Sequence, residues 1–208
     1  MSEDTTCRVW SLVTGKEIIA VQGMSPLAGK NVRGLAVCEG MVATGAEDSS
    51  VRVFEADGTN SLVVSSRVPL PGQSSVTTEV FKGGKMSEKV KASYNLVKCV
   101  CMKGDRIYFA TSFNQVLEWN PETTEISTLY ESQLEIFDIC ASESEVFLNC
   151  ATGVVTAISI GTKQASHKQI CKPKLLNMFL YGSRLVGSCP QSKIYLTSFT
   201  NGAFSDEV

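Results

Sequence analysis

Two short stretches of the chain are nearly the same: SEDTTCRVW at residues 2–10 and AEDSSVRVF at residues 46–54. Each has an acidic pair, then two small hydroxyl residues, and then an alternating run that ends in an aromatic residue. Alternation of apolar and polar residues is the pattern of a half-buried β-strand, and a match of this length indicates an internal repeat. The two stretches therefore predict a repeated β-rich unit.

The same unit recurs along the rest of the chain. Equivalent runs end at five positions, which are Trp10, Phe54, Trp119, Ile158 and Thr197. Three of the four intervals between them are close to the ~40–45 residues of a four-stranded propeller blade. Pairs of short β-rich runs joined by polar turns precede the later anchors, for example VRGLAV and MVATGA. The sequence therefore predicts an all-β fold, a β-propeller of four-stranded antiparallel blades.

The predicted units form one incomplete propeller over residues 1–208, with about three full blades and two partial ones. In chain order the predicted segments are a partial blade at 1–23, a blade at 30–66, an inserted loop at 67–93, a blade at 94–130, a blade at 134–171 and a partial blade at 174–199. An incomplete propeller leaves apolar blade faces without a neighbour. We therefore expect the chain to associate or to be poorly soluble.

Composition excludes several classes of protein. The net charge is −2, so no overall positive field attracts nucleic acid or an acidic membrane. No secretory signal and no apolar stretch of about 20 residues is visible, so we expect a soluble, cytoplasmic protein without membrane contact. The eight cysteines lack a C-x-x-C pair, and we expect small buried apolar side chains rather than zinc ligands or disulfides.

The repeated residues receive structural roles from their positions. Asp and Asn side chains at hairpin turns accept hydrogen bonds from nearby backbone N–H groups. An arginine in the alternating run faces the other side of its strand and can pair with a carboxylate there. The closing aromatic residue is expected to fill the wedge between blades. These structural repeat residues are Asp4 and Asp48 at the turns, Arg8 and Arg52 in the runs, and Trp10, Phe54 and Trp119 at their ends.

These residues resemble the WD-repeat (WD40) family, in which such a run and a following Thr-Gly-Lys turn are typical of the third and fourth strands of a blade. The resemblance is strong over residues 2–58 and weaker afterwards. The family's Gly-His dipeptide is missing, and Ser11, Glu55 and Asn120 stand where it has the Asp of Trp-Asp. The family's internal Asp-His-Ser-Trp hydrogen-bond network cannot be built from these residues, so the blades must rely on apolar packing.

A narrower resemblance rests on three stretches, which are EDTTCRVW at 3–10, GKNVRGLAV at 29–37 and ATGAEDSSVRVF at 43–54. Together they look like one stretch of the WD-repeat protein six family. This resemblance implies a non-catalytic subunit that binds a tRNA ribose 2′-O-methyltransferase and positions tRNA for methylation of the wobble nucleotide. Lys30, Asn31 and Arg33 then become the candidate residues for binding RNA or the partner, at one mouth of the propeller.

Catalytic signatures are lacking in the sequence. It has no G-x-S-x-G, P-loop or Rossmann glycine pattern. Its single histidine, His167, lies on a predicted outer strand, and the predicted inner strands carry only Asp138 as a carboxylate. We therefore predict a protein that is not an enzyme and needs no cofactor or metal. The alternative function is a general protein-interaction scaffold, in signalling or as a ubiquitin-ligase adaptor.

Overall fold

The structure is a computed structural model. It describes residues 7–21, 32–38, 41–47, 50–56, 62–69, 81–82, 85–86, 95–123, 125–191, 193–200 and 202–206. Strands β1 (Cys7–Trp10) and β2 (Glu17–Val21) form an N-terminal hairpin. Blade 1 follows, with β3 (Val32–Cys38), β4 (Met41–Ala46), β5 (Ser50–Ala56) and β6 (Leu62–Pro69). A small hairpin of β7 (Phe81–Lys82) and β8 (Lys85–Met86) lies within the predicted insertion.

Three further four-stranded antiparallel sheets complete the described chain. Blade 2 contains β9 (Val97–Lys103), β10 (Arg106–Thr111), β11 (Gln115–Trp119) and β12 (Ile126–Glu131). Blade 3 contains β13 (Ile136–Ala141), β14 (Glu145–Cys150), β15 (Val154–Ser159) and β16 (Ala165–Gln169). Blade 4 contains β17 (Asn177–Tyr181), β18 (Arg184–Ser188), β19 (Ile194–Thr200) and β20 (Ala203–Asp206). A three-residue 3-10 turn, Ala151–Gly153, joins β14 to β15.

The predicted fold class is confirmed. Within each blade the strands pair in sequence order, and the four sheets are arranged as four successive blades of a β-propeller. The first strand of each blade packs on the first strand of the next, so β3 contacts β9, β9 contacts β13 and β13 contacts β17. We call these four first strands the inner strands.

The last unit is larger than predicted. Residues 174–199 were expected to supply three strands, but β20 adds a fourth, so the structure has four full blades and not three. The chain reverses before β20 at Gly202, whose φ of +79° suits glycine. The Phe204 ring then packs edge-on against Phe199, with 4.8 Å between ring centroids. In blade 1, β6 also runs to Pro69, beyond the predicted start of the loop at residue 67.

The apolar core lies at the junctions between blades, where the faces of neighbouring sheets meet. The junction of blades 1 and 2 buries Ala43, Val51 and Val53 against Ile107, Phe109, Leu117 and Trp119. The junction of blades 2 and 3 buries Tyr108, Val116 and Leu129 against Ile139, Val146 and Leu148. The junction of blades 3 and 4 buries Phe147, Val155 and Ala157 against Leu175, Met178 and Leu185. Each blade is therefore stabilised chiefly by its neighbours.

The structural repeat residues have different outcomes. Trp119 is 1% exposed at the junction of blades 1 and 2, as predicted, but Trp10 is 53% exposed, so its predicted burial between blades is wrong. Trp10 belongs to the N-terminal hairpin, which pairs with no further strand among the described residues. Arg8 Nη1 donates to Glu17 Oε2 at 2.8 Å across that hairpin, which confirms its predicted pairing. Arg52 is buried. Asp4, Asp48 and the side chain of Phe54 lie outside the described residues.

Candidate functional site

The start of β3 carries the one sequence-predicted binding residue that the structure describes. Arg33 Nε donates to Glu47 Oε1 at 2.6 Å, and its Nη2 contacts the same oxygen. The side chain of Arg33 is 39% exposed and that of Glu47 is 14% exposed. The guanidinium therefore reaches solvent while it is held by a carboxylate. The other two candidates, Lys30 and Asn31, lie outside the described residues.

Arg33 is placed by a β-bulge that recurs in the next two blades. Val32 pairs with Ala46 and Gly34 pairs with the adjacent Gly45, which leaves Arg33 as an extra residue. The same irregularity leaves Lys98 extra on β9 and Phe137 extra on β13. A bulge bends its strand and changes the direction of a side chain, and bulges are common beside functional sites. The second residue of each of these three inner strands is therefore the extra residue of a bulge.

Blade 4 repeats the arrangement just before its inner strand. The N–H of Leu176 donates to the Ser188 carbonyl oxygen at 2.8 Å, while Asn177 is paired with the same Ser188. Leu176 is 54% exposed. The equivalent positions are therefore arginine, lysine, phenylalanine and leucine in blades 1 to 4.

Direct side-chain contacts join the strand starts of blades 2, 3 and 4 at one mouth of the propeller, and the packing of β3 on β9 places the start of blade 1 beside them. Lys98 Nζ is 2.5 Å from Glu135 Oε1, which joins the start of β9 to the residue before β13. Lys98 Nζ lies 5.3 Å from the centroid of the Phe137 ring, and Lys174 Nζ from the blade 4 side lies 5.0 Å from it. We call this set the mouth cluster; it contains Arg33, Lys98, Phe137, Lys174 and Leu176, with the carboxylates of Glu47 and Glu135.

The chemistry of the mouth cluster is that of binding. Its three cations outnumber its two carboxylates, and an ammonium group within about 6 Å of an aromatic ring is attracted by the ring face. Ammonium and guanidinium groups bind phosphate oxygens, and aromatic rings contact nucleic-acid bases. The mouth cluster itself contains no nucleophile and no histidine. It therefore places one net positive charge beside an apolar surface, which suits the binding of an anionic group.

Asp138, the inner-strand carboxylate, acts as a brace between blades. Its Oδ2 accepts the N–H of Met178 in blade 4 at 2.9 Å, and its Oδ1 accepts the N–H of Ile139 at 2.9 Å. Burial raises the pKa of Asp138, and the two backbone hydrogen bonds oppose that rise. Both acceptor oxygens are thus committed to the backbone, which assigns Asp138 a structural role.

The remaining reactive groups sit in structural settings. His167 lies on β16, the outer strand of blade 3 as predicted, and its Nδ1 is 2.9 Å from Thr156 Oγ1. The seven cysteines whose side chains the structure describes are free thiols, and Cys99, Cys150, Cys171 and Cys189 are buried. Burial raises the pKa of Cys99, Cys140 and Cys150 and so disfavours the reactive thiolate. Among the described residues no group of three or more His, Cys, Asp or Glu side chains is arranged to hold a metal.

Phe137, Lys98 and Lys174 were not singled out as site residues by sequence reasoning. A signal was available, because the runs VRGLAV, VKCVCM, IFDICA and LLNMFL align Arg33, Lys98, Phe137 and Leu176 in one column. Lys174 lies outside that column and joins the mouth cluster only through its contact with the Phe137 ring.

Comparisons with known proteins support the fold alone. No family model matches the chain, and no curated protein matches it. The computationally designed protein Ika8 is similar in structure, with a TM-score of 0.63 and 16% identity, over 95% of this chain and 54% of that one. The computationally designed protein Ika4 is similar with a TM-score of 0.58 and 14% identity, over 82% of this chain and 92% of that one. The chain thus spans about half the length of Ika8.

Proposed function

We propose that the chain is a non-catalytic WD-repeat scaffold of the cytoplasm. It binds a tRNA ribose 2′-O-methyltransferase and helps to position tRNA for methylation of the wobble nucleotide. The sequence resemblance to the WD-repeat protein six family suggests this partner and substrate. The observation that carries the proposal is the mouth cluster, where two lysines flank Phe137 and Arg33 stands at the equivalent position of blade 1.

The proposed role of the mouth cluster is to hold the tRNA backbone. Lys174 is exposed, whereas Lys98 and Arg33 are paired with Glu135 and Glu47. A phosphate entering the mouth replaces these carboxylates as the partner of each cation, and Phe137 offers an apolar surface to an unstacked base. Contacts of this kind position a nucleic acid without reading its sequence. Catalysis is left to the methyltransferase.

The test compares a variant of the mouth cluster with a control variant at the other end of β9. Lys98→Ala combined with Lys174→Ala should weaken tRNA binding, measured by fluorescence polarisation with the methyltransferase complex. A plot of the logarithm of the tRNA association constant against the logarithm of the salt concentration should also become less steep. Its slope should shrink in magnitude by about 0.7–0.9 for each phosphate that the variant no longer neutralises. The control is Lys103→Ala, because Lys103 Nζ also pairs with a blade 3 carboxylate, Glu143 Oε1 at 2.9 Å, at the far end of the strand.

Two results would contradict the proposal. One is equal tRNA affinity and wobble methylation for the wild-type, mouth and control proteins. The other is failure of the chain to co-purify with a tRNA methyltransferase while it retains another partner. The second result would favour the alternative function, a general interaction scaffold. That alternative has its own support in the exposed apolar side chains of blade 4, which include Phe179 and Tyr181.

A further inference from the structure

The inner strands follow one rule about which way each residue faces. Val100, Ile139 and Met178 occupy the same position in blades 2, 3 and 4, and each packs on the preceding blade. The next position is filled by Ala36, Cys101 and Cys140 in blades 1, 2 and 3, and each packs on the following blade. Alternation along a strand makes these two sets face opposite ways. Each blade therefore has a backward face and a forward face.

The rule leaves the forward face of blade 4 and, in blade 1, the inner strand of the backward face without cover. The forward position of blade 4 is Phe179, which is 55% exposed, and Tyr181 two residues later is 75% exposed. The backward position of blade 1 is Leu35, which is 57% exposed, and Val37 is 68% exposed. In a ring closed within one chain these two faces would cover each other. The described residues therefore make three junctions between blades but leave the fourth open.

The open face of blade 4 is a continuous apolar surface. Phe179 pairs with Val186 and Val186 pairs with Leu196, so the three side chains lie in a row across β17, β18 and β19. Ile194 lies on the same side of β19 and is 69% exposed. Contiguous exposed apolar surface on a sheet is characteristic of an interaction site.

The open face of blade 1 is confined to its inner strand. Thr44 and Arg52 lie in register with Leu35 on the same side of the sheet, and they are 0% and 4% exposed. The free part is therefore Leu35 and Val37 on β3. This free part is the one that a neighbouring inner strand can cover, because the inner strands pack on one another at all three internal junctions.

We propose that the open forward face of blade 4 docks on the open backward face of blade 1 in a second copy of this chain. The chain carries an open forward face on blade 4 and, on β3 of blade 1, the inner-strand part of a backward face. The fold of this chain matches Ika8 over 54% of that longer chain. Two copies related by a two-fold axis make this head-to-tail contact twice, which closes the ring. The proposal does not depend on the proposed function.

The test is a charge exchange at the proposed junction, read by sedimentation equilibrium of the full chain. The wild-type chain should form a dimer. Phe179→Lys and Leu35→Glu should each raise the dimer dissociation constant at least tenfold, because each buries a charge at both junctions of the dimer. An equimolar mixture of the Phe179→Lys and Leu35→Glu chains should recover the dimer. A mixed dimer has one wild-type junction and one junction that pairs lysine with glutamate.

Two exposed side chains outside the proposed junction provide matched controls. Phe113 is 48% exposed at a turn of blade 2, and Leu12 is fully exposed at the turn of the N-terminal hairpin. Phe113→Lys and Leu12→Glu should leave the dimer unchanged. Circular dichroism confirms that each variant folds, which is expected because all four side chains are exposed.

Other outcomes overturn the proposal. A wild-type chain that stays monomeric at about 100 µM, some hundredfold above a dissociation constant of about 1 µM, lacks the contact. A dimer that Phe179→Lys disrupts and Leu35→Glu does not is a symmetric pairing of blade 4 faces. An equimolar mixture of the two junction variants that stays monomeric likewise contradicts a head-to-tail contact.

Discussion

Cys140 and Phe179 occupy the same position in successive blades, but their surroundings differ. Cys140 on the inner strand of blade 3 packs into the junction with blade 4. Phe179 on the inner strand of blade 4 is 55% exposed, although it is the larger and more apolar side chain. The difference arises because blade 3 has a following blade and blade 4 has none among the described residues. Burial in this fold is thus decided by the neighbouring sheet as much as by the residue itself.

The largest expected effect contrasts a covered phenylalanine with an uncovered one. Phe147 is 2% exposed at the junction of blades 3 and 4, and its ring meets Phe199 edge-on at 5.2 Å. Phe147→Ala should lower the free energy of unfolding by about 3–5 kcal/mol. Phe179→Ala should change it by less than about 0.5 kcal/mol in dilute protein. Urea denaturation measures both, and equal losses would contradict the comparison.

A smaller effect is expected from crowding a covered junction. A Cβ added at Gly34 would lie 2.8 Å from the backbone nitrogen of Val100 in blade 2. Gly34→Ala should therefore cost about 1–3 kcal/mol, because the blades must move apart. Gly161→Ala is the control, since nothing lies within 4 Å of its added Cβ. Thermal unfolding should separate the two variants, and similar midpoints would show that blades 1 and 2 do not approach so closely.

The smallest expected effect concerns pH at the brace between blades 3 and 4. Burial raises the pKa of Asp138 above its usual 3.8. The folded chain thus takes up this proton more readily than the unfolded chain. Its stabilising contribution is greatest below pH 3.8 and is lost as the pH rises through the folded pKa.

Asp138→Asn removes this titration. The free energy of unfolding of the wild type minus that of the variant should therefore fall between pH 4 and pH 7. Paired denaturant titrations at several pH values measure this difference. A difference that rises with pH would mean that the hydrogen bonds from Met178 and Ile139 outweigh the effect of burial.

Much of the fold could be predicted from local patterns. Alternation and turn residues indicated the blades, because a strand with one buried face has an apolar residue at every second position. The fourth strand of blade 4 was missed, although Asn201 and Gly202 form the dipeptide that is the strongest short hairpin signal. The exposure of Trp10 could not be read from its repeat, since Trp119 at the equivalent position is buried only because blades 1 and 2 meet there.

The mouth cluster was only partly predictable. Arg33 was identified as a candidate through a resemblance, but the bulge that presents it with Lys98 and Phe137 is a property of strand pairing. One extra residue in each strand changes which side chains face the mouth, and alternation alone places them wrongly. The approach of Lys174 to Phe137 joins residues of two blades, and no local pattern specifies such a contact.

The central claim is that the described blades cover three junctions and leave the forward face of blade 4 bare. Hydroxyl-radical footprinting of the chain at dilution to monomer measures the solvent access of each side chain. The account predicts strong oxidation of Phe179 and Tyr181 and strong protection of Phe147. Protection of Phe179 and Tyr181 equal to that of Phe147 in the monomer would contradict it.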